Sequence, residues 1–537
     1  MASRRDELNA YNFARKRTVA AFLKPLPNGS VESAPRPVRT VVPTAVLGLL
    51  IIVGFGGCGL IKPAAPAGWN NPGEKVIVGD KSTTRYVVLN SKEKDEQGNS
   101  KRLLHPVLNL ASARLLLDPS KFEVVKVKES VLDGDDAPPH GPTIGIPYAP
   151  DRLPESKDAA AKKTWALCEQ PGGGADSRVQ RALFVFANKD EQRAKVTDAG
   201  KGRLNKRGSL YVKDPDGAEW LVDHLGVAHQ LDATFPERML RQDVDRRERQ
   251  RLDGLLRGIL FGQETAPQAV TEEWMNTLIK SPLPLFFPPV KDAGQPSSTT
   301  GVPAEHRTNG KIIEANGEFY VVLDDGVAPV SPFAAKLLLE GPVGGAVYQN
   351  EAPEPVKLPL ASITVDQPRF MGELNGRQVP WPREETTRTN THEQSDGRRV
   401  VCSVYYGGNR TIPGLGTETD VREMSTWAGR GYPAPIVDGS GSTYVTPGSG
   451  LLYKEVTGKA KDGSLFLVTD TGLRYSVQVN NDSADTSGSA DNEQNKAQIR
   501  LGYGDIAAPP LVPREWSRLL SAGPSLNTEA ARQPQGS

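Results

Sequence analysis

A single uncharged run, Thr40–Ile61, constrains the fold of this chain more than any other feature. A helix rises about 1.5 Å per residue, so this run reaches about 33 Å, enough to cross a hydrocarbon core of about 30 Å once. Eight Lys and Arg against three acids precede the run, whereas the stretch that follows is balanced in charge. Because basic residues favour the cytosolic side, the sequence predicts a single-pass protein of the cell membrane with a cytosolic N-terminus and an extracytoplasmic C-terminal region.

The run has two alternative interpretations. A cleaved signal peptide has a short basic leader and an apolar segment of about 7 to 15 residues, but the leader here is 39 residues long. Phe55–Cys58 resembles a lipoprotein cleavage box, because a cysteine follows small residues at the outer end of the run. The long leader argues against both, and the uncleaved anchor is the interpretation that we adopt.

The region after the run is 476 residues long, which exceeds the size of a single core of about 250 to 300 residues and therefore predicts several domains. Its composition favours short strands and turns, since the chain has 53 Gly and 44 Pro but only 14 Phe. The net charge of +1 gives no broad positive field, so nucleic acid is not expected as a partner. An α+β, β-rich fold outside the membrane is expected.

The three cysteines divide by position. Cys58 lies in or at the membrane, which leaves Cys168 and Cys402 as an even pair outside it. Thiols outside the cytosol tend to pair, so a Cys168–Cys402 disulfide is predicted, with two buried free thiols as the alternative. Such a bridge would tie two distant segments into one core.

The leader contains a short amphipathic helix over residues 4–24, which Pro25 and Pro27 end. Its mixture of basic, aromatic and aliphatic residues suits either anionic lipid headgroups or a cytosolic partner protein. The residues predicted to make these contacts are Arg4, Arg5, Tyr11, Phe13, Arg15, Lys16 and Arg17.

A hairpin unit recurs four times outside the membrane. Each copy is an aromatic and β-branched strand, a turn and a second strand. A small helix is predicted after some of the copies. The predicted turn residues are Asp325 and Gly326 in the third copy and Asp470 and Gly472 in the fourth. The copies are Arg85–Leu89 with a stretched turn and a helix over 111–117, Glu219–Leu231, Glu318–Ser331, and Ser464–Val477.

If the disulfide forms, the two segments that carry its cysteines meet and make a central, disulfide-linked extracytoplasmic domain with four small repeat modules around it. The predicted division is 1–39 cytosolic amphipathic helix and linker, 40–61 transmembrane helix, 62–120 linker and first repeat, 121–205 first part of the central domain, 206–290 second repeat, 291–345 third repeat, 346–460 second part of the central domain, 461–526 fourth repeat, and 527–537 disordered tail. Residues 478–497, rich in Asn, Asp, Ser and Gly, are predicted to be a disordered loop.

The sequence shows no catalytic, cofactor or metal motif. A phosphate-binding loop needs spaced glycines followed by Lys and a hydroxyl residue, and no stretch has that pattern. The six histidines lack metal-ligand spacing, and no Gly-x-Ser-x-Gly turn occurs. Asp133–Asp136 resembles a calcium loop but has Ile144 where the bidentate Glu should be, so an acidic turn is expected.

Together these features resemble the EccB subunit of type VII (ESX) secretion systems over nearly the whole chain. The polar segment 478–497 and the stretch 383–399 depart from the usual pattern of that family. The motifs that carry the resemblance are the leader Arg4–Phe13 with Arg15–Arg17, the cysteine segments Trp165–Cys168 and Val401–Ser403, the hairpins Tyr320–Gly326 and Val468–Tyr475, and the terminal Leu519–Leu520 with Gly523–Leu526.

The resemblance implies a structural core subunit of a membrane complex that supports protein export. Its implied partners are the other secretion subunits, including the motor ATPase, within a large oligomeric assembly. Two alternatives follow from the same resemblance: a subunit that hydrolyses ATP, and a membrane anchor whose repeats bind cell-wall glycan. ATP is therefore a cofactor by resemblance only, and enzyme activity stays undecided at this point.

Overall fold

The fold is a mixture of helices and many short strands, as the composition predicts. The computed structural model describes residues 3–23, 37–60, 65–94, 98, 100–172, 178–240, 242–349, 351–374, 376–391, 397–412, 415, 421–436, 442–477 and 496–535. The chain divides into two compact units, one formed by 1–69, 79–82 and 125–137 and the other by 70–78, 83–124 and 138–537.

The helices are short except for the first two and the eighth. They are α1 (Arg4–Leu23), α2 (Pro37–Leu60), α3 (Leu110–Leu116), α4 (Glu129–Leu132), α5 (Ser156–Ala160), α6 (Arg193–Thr197), α7 (Phe235–Met239), α8 (Arg246–Phe261), α9 (Glu272–Thr277), α10 (Pro332–Glu340), α11 (Pro342–Tyr348), α12 (Arg514–Ser517) and α13 (Thr528–Arg532). Residues 496–500 are also helical, and 3₁₀ turns lie at Ala304–His306 and Leu360–Ser362.

The strands are mostly between two and seven residues long. In the first half of the chain they are β1 (Lys75–Gly79), β2 (Arg85–Lys94), β3 (Ser100–Pro106), β4 (Glu123–Val127), β5 (Thr164–Gln170), β6 (Gln180–Phe186), β7 (Gly208–Lys213), β8 (Glu219–Asp223), β9 (Val227–Gln230), β10 (Gln268–Ala269) and β11 (Ile279–Lys280). In the second half they are β12 (Ile312–Ala315), β13 (Glu318–Leu323), β14 (Gly326–Val330), β15 (Val356–Lys357), β16 (Glu373–Leu374), β17 (Arg377–Gln378), β18 (Thr387–Arg388), β19 (Val400–Arg410), β20 (Val421–Gly429), β21 (Ser442–Val445), β22 (Gly450–Val456), β23 (Ser464–Thr469), β24 (Leu473–Ser476), β25 (Leu511–Pro513) and β26 (Ser521–Ala522).

The first unit contains the two N-terminal helices. Helix α1 covers residues 4–23 of the predicted leader helix, and α2 covers residues 40–60 of the predicted apolar run. Residues 24 and 61, and the side chains of residues 40 and 53–60, lie outside what the structure describes. Among the residues that are described, no helix is both long and apolar enough to cross a membrane. In the same unit, the Glu129 carboxylate accepts hydrogen bonds from the backbone N–H groups of Lys81 and Ser82, each at 2.8 Å.

Four antiparallel three-stranded meanders recur among the described residues of the second unit. They are β1–β2–β3, β7–β8–β9, β12–β13–β14 and β22–β23–β24. The predicted hairpins correspond to the second and third strands of the last three meanders, so the sequence analysis missed the first strand of each. In the second and fourth meanders, two-residue or three-residue strands pair in parallel with both outer strands.

The central sheet combines strands from distant parts of the chain in the order β20–β19–β5–β6–β21. β5 pairs antiparallel with both β19 and β6, and every residue of β5 is buried. Strand β21 closes the other edge by pairing in parallel with β6. The strands come from residues 164–186 and 400–445, the two stretches that carry the cysteines.

The first and fourth meanders share one apolar core, and the second and third pack on neighbouring elements. Val87 of the first meander and Leu467 of the fourth belong to one buried cluster, and Leu221 of the second meander shares another with Phe333 of α10. A third cluster joins Trp165 of the central sheet to Tyr453 of the fourth meander. The apolar face of a small sheet must be buried against another element, which explains these shared clusters.

The C-terminus differs from the prediction of a disordered tail over 527–537. Asn527 caps α13 by accepting the Ala530 N–H at 2.7 Å, and Ala531 is fully buried in the core of the first and fourth meanders. Gln535 donates from Nε2 to the Gly145 carbonyl at 2.7 Å. The prediction is therefore wrong for residues 527–535, while residues 536 and 537 lie outside the described part. The predicted loop 478–497 lies outside it up to residue 495.

Candidate functional site

The predicted disulfide is present at the centre of the second unit. Cys168 on β5 and Cys402 on β19 are register partners, with Cα atoms 4.0 Å apart, and both are fully buried. The bridge therefore links two neighbouring strands covalently in the middle of the central sheet. The alternative of two free thiols is wrong. It closes the chain over a separation of 234 residues.

A buried carboxyl lies directly beside this bridge. Glu169 is 0% exposed, and its two oxygens accept hydrogen bonds from the backbone N–H (2.8 Å) and the hydroxyl of Thr271. Burial raises the pKa of Glu169 to about 7, although the Thr271 hydrogen bonds and the charge of Arg181 act in the opposite direction. Thr271 also caps α9 by accepting the Trp274 N–H. At the end of α9, Thr277 shares a hydroxyl hydrogen bond of 2.6 Å with Ser403. The residues next to both cysteines thus hold α9 at its two ends.

A buried ion pair connects the central sheet to the fourth meander. Lys163 Nζ donates to Asp158 Oδ1 at 3.0 Å and to the Asp158 carbonyl at 2.7 Å, while Asp158 Oδ2 accepts from the Ser449 hydroxyl and the Gly450 N–H. Burial lowers the pKa of Lys163 despite its acidic partner. Burial pushes the pKa of Asp158 upward, but the hydrogen bonds from Ser449, Lys163 and Gly450 outweigh it and the net direction is down. Every charge in this pair has a partner, as a buried pair requires.

The predicted turn residues occupy two kinds of turn. Asp325 lies in the two-residue connection between β13 and β14, whereas Gly326 is already the first residue of β14, in register with Leu323. Gly472 ends the turn between β23 and β24 with φ of +77°, a conformation that favours glycine. Asp470 accepts the Gly448 N–H at 2.8 Å, so it anchors this turn to the chain that leads into β22.

All seven predicted contact residues of the leader are exposed. They lie on α1, so their side chains are available to a lipid surface or to another protein. The residues are Arg4, Arg5, Tyr11, Phe13, Arg15, Lys16 and Arg17.

The sequence analysis missed a half-open groove of about 780 Å³ between the end of α8, α10 and β18. Arg388 lies along it with its guanidinium 5.7 Å from the Tyr211 ring centroid, and donates from Nη2 to the Ala266 carbonyl at 3.1 Å. Beside β18, Asn390 bonds through its side-chain amide to both the N–H and the carbonyl of Tyr211, which extends the pairing along β7. The groove is lined by Gly258–Gly262, Glu264–Ala266, Lys336, Glu340, Thr386–Arg388 and Thr391.

The histidines and acids do not gather into a metal-binding cluster where the structure describes them. No group of three or more His, Cys, Asp or Glu in the described ranges could hold a metal ion. His229 is fully buried, with Nε2 3.8 Å from Asp223 Oδ2. Asp223 itself accepts the Leu225 and Val227 N–H groups at the β8–β9 turn, so this contact is part of the hairpin.

The sequence of this chain is similar to a known protein family and to individual relatives. The sequence profile of the family described as "Type VII secretion system ESX-1, transport TM domain B" matches residues 1–536. A relative described as ESX-3 secretion system ATPase EccB3, from Mycolicibacterium smegmatis, is 28% identical and aligns over 91% of this chain and 83% of its own. Another, described as ESX-2 secretion system ATPase EccB2, from Mycobacterium tuberculosis, is 24% identical over 98% of this chain and 94% of its own.

Solved structures with the same fold come from two secretion complexes. A chain of the intact ESX-5 inner membrane complex superposes with a TM-score of 0.51 at 20% identity, covering 100% of this chain and 96% of that one. A chain of the EccB3 dimer from the ESX-3 core complex gives a TM-score of 0.52 at 22% identity, covering 85% of this chain and 99% of that one.

Proposed function

Because the chain belongs to the EccB family of type VII secretion systems, we propose that it is a structural core subunit of a type VII protein secretion complex in the cell membrane. The observation that carries this function is the family match over residues 1–536, which includes the leader, the disulfide sheet and all four meanders. The relatives named above belong to ESX-3 and ESX-2 systems, and structures of the same fold come from ESX-5 and ESX-3 complexes. The role in protein export follows from that membership.

We further propose the topology that the sequence predicts: Thr40–Ile61 crosses the membrane once, with α1 in the cytosol and the second unit outside. The charge asymmetry of the leader supports this orientation. The buried Cys168–Cys402 disulfide supports it independently, because disulfides persist in oxidising compartments outside the cytosol.

The central sheet and the four meanders are proposed as the central domain and the four repeat modules. Strand pairing between residues 164–186 and 400–445 supports the first, and the recurrence of the three-stranded meander supports the second. The proposed partners are the other secretion subunits, including the motor ATPase, with the exposed α1 as the contact on the cytosolic side. The alternative is that the repeat modules contact cell-wall glycan.

No catalytic step is included in this function. The relatives' names contain the word ATPase, but this sequence has no phosphate-binding loop of the Gly-x-x-x-x-Gly-Lys-Ser/Thr type. The contacts at the disulfide, at Glu169 and at Asp158 all join elements of the fold to one another. They stabilise the fold, as expected for a structural subunit.

Affinity purification of the full chain from native membranes tests the proposed function. Deletion of residues 1–24, or replacement of Arg15, Lys16 and Arg17 by Gln, is expected to release the chain from a large detergent-stable complex. A matched control replaces the exposed Arg246, Arg247 and Arg249 of α8 by Gln, which removes the same charge outside the leader. Recovery of the same complex from the leader variants and the control would contradict the proposed contact.

Proteolysis of intact spheroplasts tests the topology. Added protease should digest the second unit and spare the first twenty residues, as judged with epitope tags at the two ends. The opposite pattern would show that the orientation is reversed.

A further inference from the structure

The groove beside β18 is lined by two cations, Arg388 and Lys336, and by two acids, Glu264 and Glu340. Within the described part of the chain, no carboxylate lies within ion-pair distance of the Arg388 guanidinium or of the Lys336 ammonium, although both side chains are half-buried. The two acids at the groove, Glu264 and Glu340, are exposed to solvent. Because neither cation makes an ion pair with a described residue, both are available to an anion from outside the chain.

Packing holds the Arg388 side chain in place. Its guanidinium lies over the Tyr211 ring, and Tyr211 stacks on Phe261 with ring centroids 3.9 Å apart. The hydrogen bond to the Ala266 carbonyl fixes one edge of the guanidinium. Burial lowers the pKa of Arg388, because it removes part of the water that stabilises the charged guanidinium. A preorganised guanidinium is well suited to bind a carboxylate through two parallel hydrogen bonds.

The backbone of β18 offers a second set of contacts. The Thr387 and Thr389 N–H groups donate to the Arg207 and Ser209 carbonyls of the segment that forms β7, at 2.6 and 2.8 Å. Because successive N–H groups of a strand point to opposite edges, the Arg388 N–H points away from β7. Among the described strands, none pairs with β18 on that edge. An extended peptide could therefore hydrogen-bond there, as in strand addition.

The size and floor of the groove fit the same occupant. Its volume of about 780 Å³ lies within the range of about 300 to 1,000 Å³ that is usual for ligand sites. Buried Ile259, Leu260 and Phe261 supply an apolar floor, and Thr265, Thr386 and Thr387 supply hydroxyl groups. An apolar floor, hydroxyl groups, a free strand edge and unpaired cations together match a short extended peptide that carries a carboxylate.

We propose that the groove between α8, α10 and β18 binds an extended polypeptide segment through a carboxylate, with Arg388 as its anchor and Lys336 as a second cation. This binding activity is separate from the structural role proposed above and does not depend on it. The carboxylate belongs either to the end of the segment or to an acidic side chain, and the experiment distinguishes these sources.

The test uses the full chain in detergent, immobilised and exposed to three pools of N-acetylated tetrapeptides, with retained peptides identified by mass spectrometry. The first pool has free C-terminal carboxylates and no acidic residue, the second is the same pool amidated, and the third is amidated with one internal Glu. We expect retention of the first or third pool at least about tenfold above the second, since a charge-assisted hydrogen bond is worth about one factor of ten or more. Equal retention of all pools, or retention of none, would overturn the proposal.

Variants assign the effect to the groove. R388Q is expected to lower retention of the carboxylate peptides at least about tenfold, and R388K to give an intermediate loss because an ammonium lacks the planar fork. K336Q should weaken retention several-fold and provides a second measurement if R388Q disturbs folding. The matched control is R377Q, an exposed arginine on β17 that does not line the groove. Wild-type retention by both R388Q and K336Q would show that the peptides bind elsewhere.

Discussion

Cys168 and Cys402 lie directly opposite each other on neighbouring antiparallel strands, although 234 residues separate them in the sequence. Their bridge encloses the second and third meanders within a covalent loop. The neighbours Glu169 and Ser403 then bond to the two ends of α9, which lies inside that loop. The covalent bond and the polar contacts thus act on the same small region of the central sheet.

Removal of the bridge by the double variant C168A/C402A is expected to destabilise the second unit. The chain-entropy model gives about 5 kcal/mol at most for a loop of this length, because the bridge restricts the unfolded chain. The measurement is the urea midpoint of the full chain in detergent, followed by tryptophan fluorescence. C58A is the matched control and should leave the midpoint unchanged, since Cys58 is not part of the bridge. An unchanged midpoint for the double variant would show that the disulfide does not contribute to the stability of the second unit.

Glu169 is expected to make stability depend on pH between about 4.5 and about 7. Burial raises the pKa of the folded state to about 7 from its ordinary 4.5, so the folded protein binds a proton that the unfolded chain has already released. Stability contributed by this proton is present below pH 4.5, decreases as the pH rises through the window, and is absent above about pH 7. The size of the change is on the order of 3 kcal/mol.

The variant E169Q should remove this dependence while keeping the shape of the side chain. Unfolding midpoints of the variant and the wild type, measured from pH 4 to pH 8, give a difference that isolates the single carboxyl from all other groups. Parallel curves for the two proteins would show that Glu169 does not titrate in this range.

Asp158 and Lys163 are expected to respond unequally to substitution. D158N leaves the Lys163 ammonium, whose side chain is only 1% exposed, without its anion, and should cost about 3 to 5 kcal/mol. K163M should cost less, because Asp158 is 18% exposed and keeps its bonds from Ser449 and Gly450. Urea unfolding of both single variants and the double variant D158N/K163M measures the coupling. If the cost of the double variant is the sum of the two single costs, the two side chains do not interact. Equal costs of the single variants would contradict the unequal response.

The hairpins and the disulfide could be predicted from the sequence because their signals are local or compositional. Val321 and Val468 lie in alternating β-branched strands that run into an acidic turn, and the pairing of Cys168 with Cys402 follows from compartment and from an even number of thiols. The disordered tail was wrong because α13 has only five residues, too few for a helical period to show. Its order comes from Ala531, which enters a core made by other segments.

The remaining contacts depend on partners that no local pattern identifies. Asp158 meets Ser449 across 291 residues, and Arg388 lines the groove with α8 residues more than a hundred positions earlier. Glu169 had a weak signal, as an acid directly after the apolar segment Trp165–Cys168, but its hydrogen bond to Thr271 depends on the tertiary position of α9. Such pairs follow from tertiary packing, which explains why the sequence analysis did not find the groove.

Two glycine substitutions are expected to change stability in opposite directions. Gly472 has φ of +77°, and an added Cβ would lie 3.2 Å from Thr443 Cγ2, so G472A should destabilise the fold by about 1 to 2 kcal/mol. Gly345 lies within α11 without a positive φ, and an added Cβ there meets no atom within 4 Å. G345A should therefore be neutral or stabilise by up to about 1 kcal/mol, because alanine favours the helix. Urea midpoints of the two variants, measured side by side in the full chain, test the pair. A stable G472A would show that the β23–β24 turn adapts to a side chain, and a destabilised G345A would show that α11 packs more tightly than the structure indicates.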